Sequence, residues 1–306
     1  MSARTLRLVV SAADGGERLD KLLAREVPGV GRKRARELCE LGQVWVDGHR
    51  ARAAQPLTAG SSIELTLDEE EPPEGEPALE LDVRLELPSV LVVHKPPGQP
   101  SATLRPGERG TLVNALVARY PELRSTGHRT REPGLVHRLD TETSGLVVVA
   151  RTAPAFATLT RALQSGKLTK RYLAIVAARE LPDSGVIDEP LGPDPARHGR
   201  VRVVPDPTRD YAKRSTTRYR VALRTAEHLL LELEVARAFR HQIRAHLASL
   251  GAPLVGDALY EGPAWPGAGS RHALHASYVA WAGDRTVPSF VVKAELPDDM
   301  RRLLGA

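Results

Sequence analysis

The chain has 306 residues, with 43 Lys and Arg against 38 Asp and Glu and a single cysteine. That length predicts about two domains. One cysteine excludes an intrachain disulfide framework and favours a reducing, cytoplasmic setting, and no run of about 18 apolar residues offers a membrane span. The net charge of +5 is unevenly spread: residues 1–62 carry +4, residues 64–86 carry −9, and the remainder carries +10. Such a distribution suits phosphate backbones without naming a polymer.

Taken in chain order, "RTLRLVV" predicts a first strand. "GERLDKLLAREVPG" predicts a short amphipathic helix with Leu19, Leu22 and Leu23 on one side. "GRKRARELCELGQ" predicts a second helix closed near Gly42, its first turns crowded by Arg32, Lys33, Arg34 and Arg36. Cys39 on that helix reads as packing. "QVWVDGHRAR" is a strand into an Asp47-Gly48 turn, and "AGSSIELTL" closes a unit of about 65 residues. "DEEEPPEGEPALE" follows; like charges, prolines and glycine make it a linker.

From Leu85 strands alternate with short helices. "SVLVVHKPPG" is an apolar strand ending at Lys95, and "TLVNALVARY" is a helix. "GLVHRLD" and "SGLVVVART" read as two strands around the turn holding Asp140. "PAFATLTRALQSG" is a helix and "KLTKRYLAIVAA" leads into a strand. Residues 185–210 look loop-like. "YAKRSTTRYRVALRT" and "HLLLELEVA" are strands, "RHQIRAHLASLG" is helical, and "RHALHASYVAW" and "PSFVVKAEL" close the domain as strands.

Asp140, at a strand end, suits a nucleophile or general base, or a turn acid capping the N–H groups of Thr143 or Ser144. Arg240, His241 and Arg244 share a helical stretch, where Arg244 can pair with a carboxylate or phosphate, or simply face solvent. Tyr172 suits stacking on a base or ordinary core packing. The pairs His272/His275 and His241/His246 lack a zinc-hydrolase arrangement, and Ser144 lacks a nucleophile elbow. No phosphate-binding glycine loop or dinucleotide fingerprint is present. The basic helix followed by a hairpin suits folded RNA or a solvated face.

Residues 17–65, with "VVHKPPG", "TLVNAL", "GLVHRLDTETSGLVVVA", "KRYLAIV", "HQIRAHLASLGAPLVGDALY" and "LHA" in that order, resemble the RluA-type pseudouridine synthases preceded by an S4-type RNA-binding domain. The resemblance implies an α+β fold: a small S4-like α/β domain at 1–67, an acidic linker at 68–84, and a catalytic domain at 85–306 built on a mixed, mainly antiparallel sheet. It implies isomerisation of uridines in RNA, with ribosomal RNA favoured over transfer RNA and no cofactor or metal; a monomer is the default expectation. A fold-sharing RNA-binding or assembly factor without catalysis is the alternative.

The resemblance also implies roles. Asp140 would be the essential aspartate, Arg244 its partner, and Tyr172 the ring that holds the flipped base. Arg138 would enter the RNA stack, and Leu274 would floor the pocket. His137, Arg240, His241 and Lys95 join them as expected substrate contacts, and Arg32, Lys33, Arg34 and Arg36 as contacts of the front domain. Two departures stand out. "ARAFRHQIR" places Ala238 and Phe239 where the family has Gly and Arg, displacing the arginine to Arg240. "KPPGQPSATLRPG" lacks the usual His-Pro.

Overall fold

A computed structural model describes residues 3–68, 71–177, 180–197, 199–209, 211–236 and 238–305, apart from the side chains of Ala3, Lys33 and Asp68. The chain divides into two compact units, residues 1–72 with 128–130, and 73–127 with 131–306.

In the first unit, β1 (Ala3–Val9) is followed by α1 (Leu19–Glu26), α2 (Arg32–Glu40), β2 (Val44–Val46), β3 (His49–Arg50) and β4 (Ser62–Asp68). The sheet order is β1-β4-β2-β3, antiparallel throughout. Leu19, Leu22 and Leu23 are buried, as their helical spacing predicts, and meet Ala35, Leu38, Val44, Ile63 and Leu65 in one core. Gly42 ends the second helix with a positive φ of 73°.

In the second unit the order is β5 (Asp82–Glu86), β6 (Val90–Lys95), α3 (Leu112–Arg119), β7 (Ser144–Ala150), α4 (Ala153–Gln164) and β8 (Thr169–Ala177). Then come β9 (Ser184–Asp188), β10 (Leu191–Pro193), β11 (Val201–Val203), β12 (Thr216–Arg224) and β13 (His228–Glu234). The unit ends with α5 (Gln242–Ser249), β14 (Leu274–Trp281), β15 (Phe290–Lys293) and α6 (Asp298–Leu303). Among the described residues the main sheet has nine strands in the order β5-β6-β7-β14-β8-β13-β12-β9, with β15 on β14. Among these pairings, only that of β14 with β7 is parallel. The expected mixed, mainly antiparallel sheet is therefore present.

Every residue of β7 is buried, because both faces are covered. Leu91, Val93, Val147 and Val149 face one core with Leu112 and Leu116 of α3. Val90, Val92, Leu146 and Val148 face another with Phe156 and Leu159 of α4. β14 approaches β7 so closely that a Cβ on Gly145 would lie 2.3 Å from the Ala276 carbonyl oxygen, and Gly145 has φ 116°. Gly145→Ala is expected to cost more than about 1 kcal/mol, read as a lower denaturant midpoint at unchanged slope.

Three expectations need correction. "GLVHRLD" is not a strand: Val136 donates to the Val148 carbonyl, but the Val148 N–H goes to the His137 ring at 3.2 Å. A side chain replaces the backbone partner, and the ladder stops at an isolated Leu135–Val149 bridge. The span 185–210 contains β9, β10 and β11; β10 and β11 pair with each other, and β9 pairs with β12, which lies outside the span. Residues 73–84 belong to the second unit, so the acidic stretch is not a free linker over that half. The Glu74 carbonyl accepts from Asn114, the Glu76 carboxylate accepts from the Gly110 N–H, and β5 begins at Asp82.

Candidate active site

The turn that carries Asp140 is fixed from behind. Lys95, fully buried at the end of β6, donates to the carbonyls of Pro96, Gln99 and Thr141 at 2.8, 2.8 and 2.9 Å. Burial pushes its pKa down to about 7. Ser101 donates to the Leu139 carbonyl and accepts from the Leu139 N–H. Three donors meeting three carbonyls leave Lys95 nothing for a substrate, so its expected role as a substrate contact is corrected to one of holding the turn. The Asp140 backbone carbonyl, not its side chain, accepts from the Thr143 N–H.

The carboxylate is thereby left for α5. Arg244 Nη1 donates to Asp140 Oδ2 at 3.0 Å, and Nε and Nη2 form a fork onto Asp257 at 2.7 and 2.8 Å. The Arg244 and Asp257 side chains are 9% and 1% exposed, against 27% for Asp140. Arg244 is thus locked by a buried acid and presents one remaining N–H toward the half-open one. Burial opposes the Arg244 charge, but Asp257 and Asp140 outweigh it and raise its pKa. Burial likewise pushes Asp140 up, while His241 and Arg244 hold its pKa below the ordinary value. His241 is itself depressed to about 4 by burial and is neutral at pH 7, so Arg244 is the lasting source of that shift.

The first turn of α5 is set by Gln242, which is 2% exposed. It accepts from the Phe239 N–H and donates to the Thr216 carbonyl and Thr217 hydroxyl. His241 enters the helix in the left-handed region, at φ 54° and ψ 17°. Its Nε2 lies 3.7 Å from Asp140, and its Nδ1 lies 3.3 Å from the Tyr260 hydroxyl.

These groups line one open cleft of about 380 Å³, measured out to solvent. Its walls include Arg138, Asp140, Tyr172, His241, Arg244 and Leu274. Tyr172 of β8 and Leu274 at the start of β14 are 4% and 5% exposed. Burial, with Asp140 nearby, raises the Tyr172 pKa, so the phenol keeps its proton. Arg138 is exposed at the rim, paired with Glu132 at 2.7 Å. Ala238 and Phe239, the two departures before "HQIR", also line the cleft.

Two further expected contacts do not join them. His137 Nε2 is spent on Val148, and burial lowers its pKa to about 3. Arg240 turns to the Gly199 carbonyl at 2.7 Å, so it does not replace the missing arginine in the cleft. His272 and His275 bond to Thr143 and Ser144, each at 2.8 Å. Asp257 and Tyr260 do not stand out in the sequence. Both lie in "VGDALY", where an acid and a phenol among apolar neighbours are the available signal.

In the first unit, the buried Asp20 accepts from both Nε and Nη2 of Arg18 at 3.0 Å and from Arg36 Nε at 3.1 Å, with Arg32 at 3.9 Å. The Arg18 hydrogen bond is the main reason its pKa falls to about 2. The three arginines remain about half exposed around this one acid. Arg34 pairs with Glu37 at 3.5 Å, and the Lys33 side chain lies outside the described residues. Arg18 was not among the expected contacts, since its role depends on Asp20 being buried.

Residues 89–249 match the RNA pseudouridylate synthase family and residues 17–63 match the S4 domain. An uncharacterized RNA pseudouridine synthase of Chloroflexus aurantiacus is 39% identical, over 97% of this chain and 92% of that one. The ribosomal large subunit pseudouridine synthase D of Xanthomonas campestris is 33% identical, over 97% and 91%. The solved human RNA pseudouridylate synthase domain containing 4 shares the fold, with a TM-score of 0.57 at 22% identity, over 73% and 92%. The chain belongs to the RluA-type RNA pseudouridine synthases, with an S4 domain in front of the catalytic domain, and it isomerises uridine in RNA.

Proposed function

We propose that the target is a uridine of ribosomal RNA and that Asp140 is the group that acts on its sugar. The observation that carries the second part is the Asp140–Arg244–Asp257 chain, opening into a cleft floored by Tyr172 and Leu274. The first part is supported by relatives named for the large ribosomal subunit.

The reaction breaks C1′–N1, turns the uracil over and joins C5 to C1′. The target base must first leave its stack, at a cost of a few kcal/mol. Arg138 at the rim is the group to fill the gap. Its exposed pair with Glu132 is worth only about 0–1 kcal/mol, so releasing it costs little. Tyr172 holds the uracil by stacking, worth about 1–3 kcal/mol. Asp140 then attacks C1′ or takes the C2′ proton; both routes need the ionised carboxylate that Arg244 maintains. The apolar floor keeps water from C1′.

In the front domain, Arg32, Arg34 and Arg36, with Arg18, contact phosphates of the RNA. Replacing Arg32 and Arg34 by Ala is expected to weaken RNA binding and lower the salt slope by about 0.7–0.9 for each phosphate no longer neutralised. The rate at saturating RNA should stay unchanged; an unaltered salt slope in filter binding would remove the helix from the interface.

The target is tested by mapping pseudouridine across cellular RNA with and without the gene. Loss of one or more large-subunit ribosomal sites is expected. Loss confined to transfer RNA would redirect the assignment.

A further inference from the structure

We propose that His241 is the proton carrier of the isomerisation, taking the C5 proton of the rotated uracil and returning it to N1. The net reaction moves one proton from C5 to N1, so some group must accept and release it. Uracil leaves C1′ with the bonding pair on N1. Attack of C5 on C1′ makes C5 tetrahedral and leaves a double bond between N1 and C6. When the C5 proton departs, its pair closes C5=C6, the N1=C6 π pair moves to N1, and N1 takes the proton. On the covalent route the attack of C5 expels the Asp140 carboxylate from C1′; on the other, Asp140 returns its proton to C2′ as C5 adds to C1′.

Five titratable groups among the described residues line the cleft: Arg138, Asp140, Tyr172, His241 and Arg244. The arginines cannot serve as bases. Tyr172 keeps its proton because burial disfavours the phenolate. Asp140 serves the sugar until C5 bonds to C1′, and its Oδ2 is held by Arg244 Nη1 at 3.0 Å. His241 is the neutral base of the cleft, and its Nε2, which makes no hydrogen bond among the described residues, lies 3.7 Å from the Asp140 carboxylate. Once C5 is bonded to C1′, the C5 proton is one atom away from the carbon that Asp140 serves, within reach of a neighbouring imidazole.

Its tautomer is set by Tyr260. The phenol donates to the Val201 carbonyl at 2.9 Å and accepts from the Val201 N–H at 3.1 Å. With its one proton spent, it can only accept from His241 Nδ1, 3.3 Å away. Nδ1 therefore carries the hydrogen, and Nε2 turns a bare lone pair toward the cleft. The backbone at His241 is held left-handed, an uncommon conformation for a residue other than glycine. Around the ring stand Asp140, Asp257, Arg240, Arg244 and Tyr260; burial dominates over all of them and keeps the imidazole neutral at pH 7. A weakly basic ring accepts the proton in passing and gives it up to N1.

The test uses total RNA from cells lacking the gene, grown on uracil or on [5-2H]uracil, with wild-type enzyme and His241→Asn, a residue that tolerates the left-handed backbone. The expected result is a fall of about 100-fold in the rate of pseudouridine formation, with a primary isotope effect at C5 that the wild type lacks. RNA from the same cells grown on 5-fluorouracil has no C5 hydrogen to lose. On it, the variant should rearrange the target at the wild-type rate, a result that a merely structural role would not give. An undiminished rate, or equal losses on both RNAs without a C5 isotope effect, would overturn the proposal.

Discussion

Asp140→Asn is expected to abolish pseudouridine formation, by a factor on the order of 10⁴ or more, while RNA affinity stays near that of the wild type. The amide has nearly the same shape and still accepts from Arg244 Nη1 at the 3.0 Å contact. The fold should therefore survive, since neither side chain is left buried without a partner. What is lost is the charge, which both candidate routes require at the ribose. Filter binding together with product mapping checks the two halves separately. A variant that binds and still isomerises would remove Asp140 from the chemistry.

Arg244→Ala should act on both stability and activity. It strips Asp257, 1% exposed, of both its charge-assisted bonds. An acid left alone in the interior costs about 3–5 kcal/mol, so a large fall in the thermal midpoint is expected. At the same time Asp140 loses the cation that holds its pKa down, while burial continues to push it up. The carboxylate then protonates at a higher pH, and the acid limb of the activity profile moves toward neutrality. Arg244→Lys retains a charge but cannot fork onto Asp257 while reaching Asp140, so it should rescue only part of either effect. Circular dichroism melts and rate–pH profiles on the same preparations separate the two. An unshifted acid limb in the surviving protein would break the electrostatic link between the two residues.

Much of this arrangement was legible in the sequence. Periodic leucines marked the first helix of the front domain and Gly42 the end of the second, and the apolar runs marked β6, β7 and β8. Asp140, Tyr172, Arg244, Leu274, His241 and Arg138 share a cleft although Asp140 and Arg244 stand 104 positions apart. The errors have physical causes. A lysine after a strand can face a ligand or tie down its own turn, and the choice for Lys95 rests on three carbonyls, one of them 46 residues away. Arg240 was expected to substitute for an arginine missing at Phe239, but a shift of one position at a helix start turns the side chain to another side, here to Gly199. Asp257 became meaningful only once its burial against Arg244 was visible. The "GLVHRLD" segment had the composition of a strand, and the competition of His137 for the Val148 N–H is a tertiary event that no local pattern encodes.

The central place of β14 in the sheet has a consequence for biosynthesis. Residues 274–281 insert between β7 and β8, which are made more than a hundred residues earlier. Leu274 belongs to this late strand, whereas Asp140 and Tyr172 emerge from the ribosome long before it. A nascent chain can complete its front domain while the cleft still lacks its middle strand. Such long-range closure is slow compared with local folding. On the roles proposed above, chains cut short ahead of β14 are expected to bind RNA without turnover, which filter binding and product mapping on such a truncated chain would check.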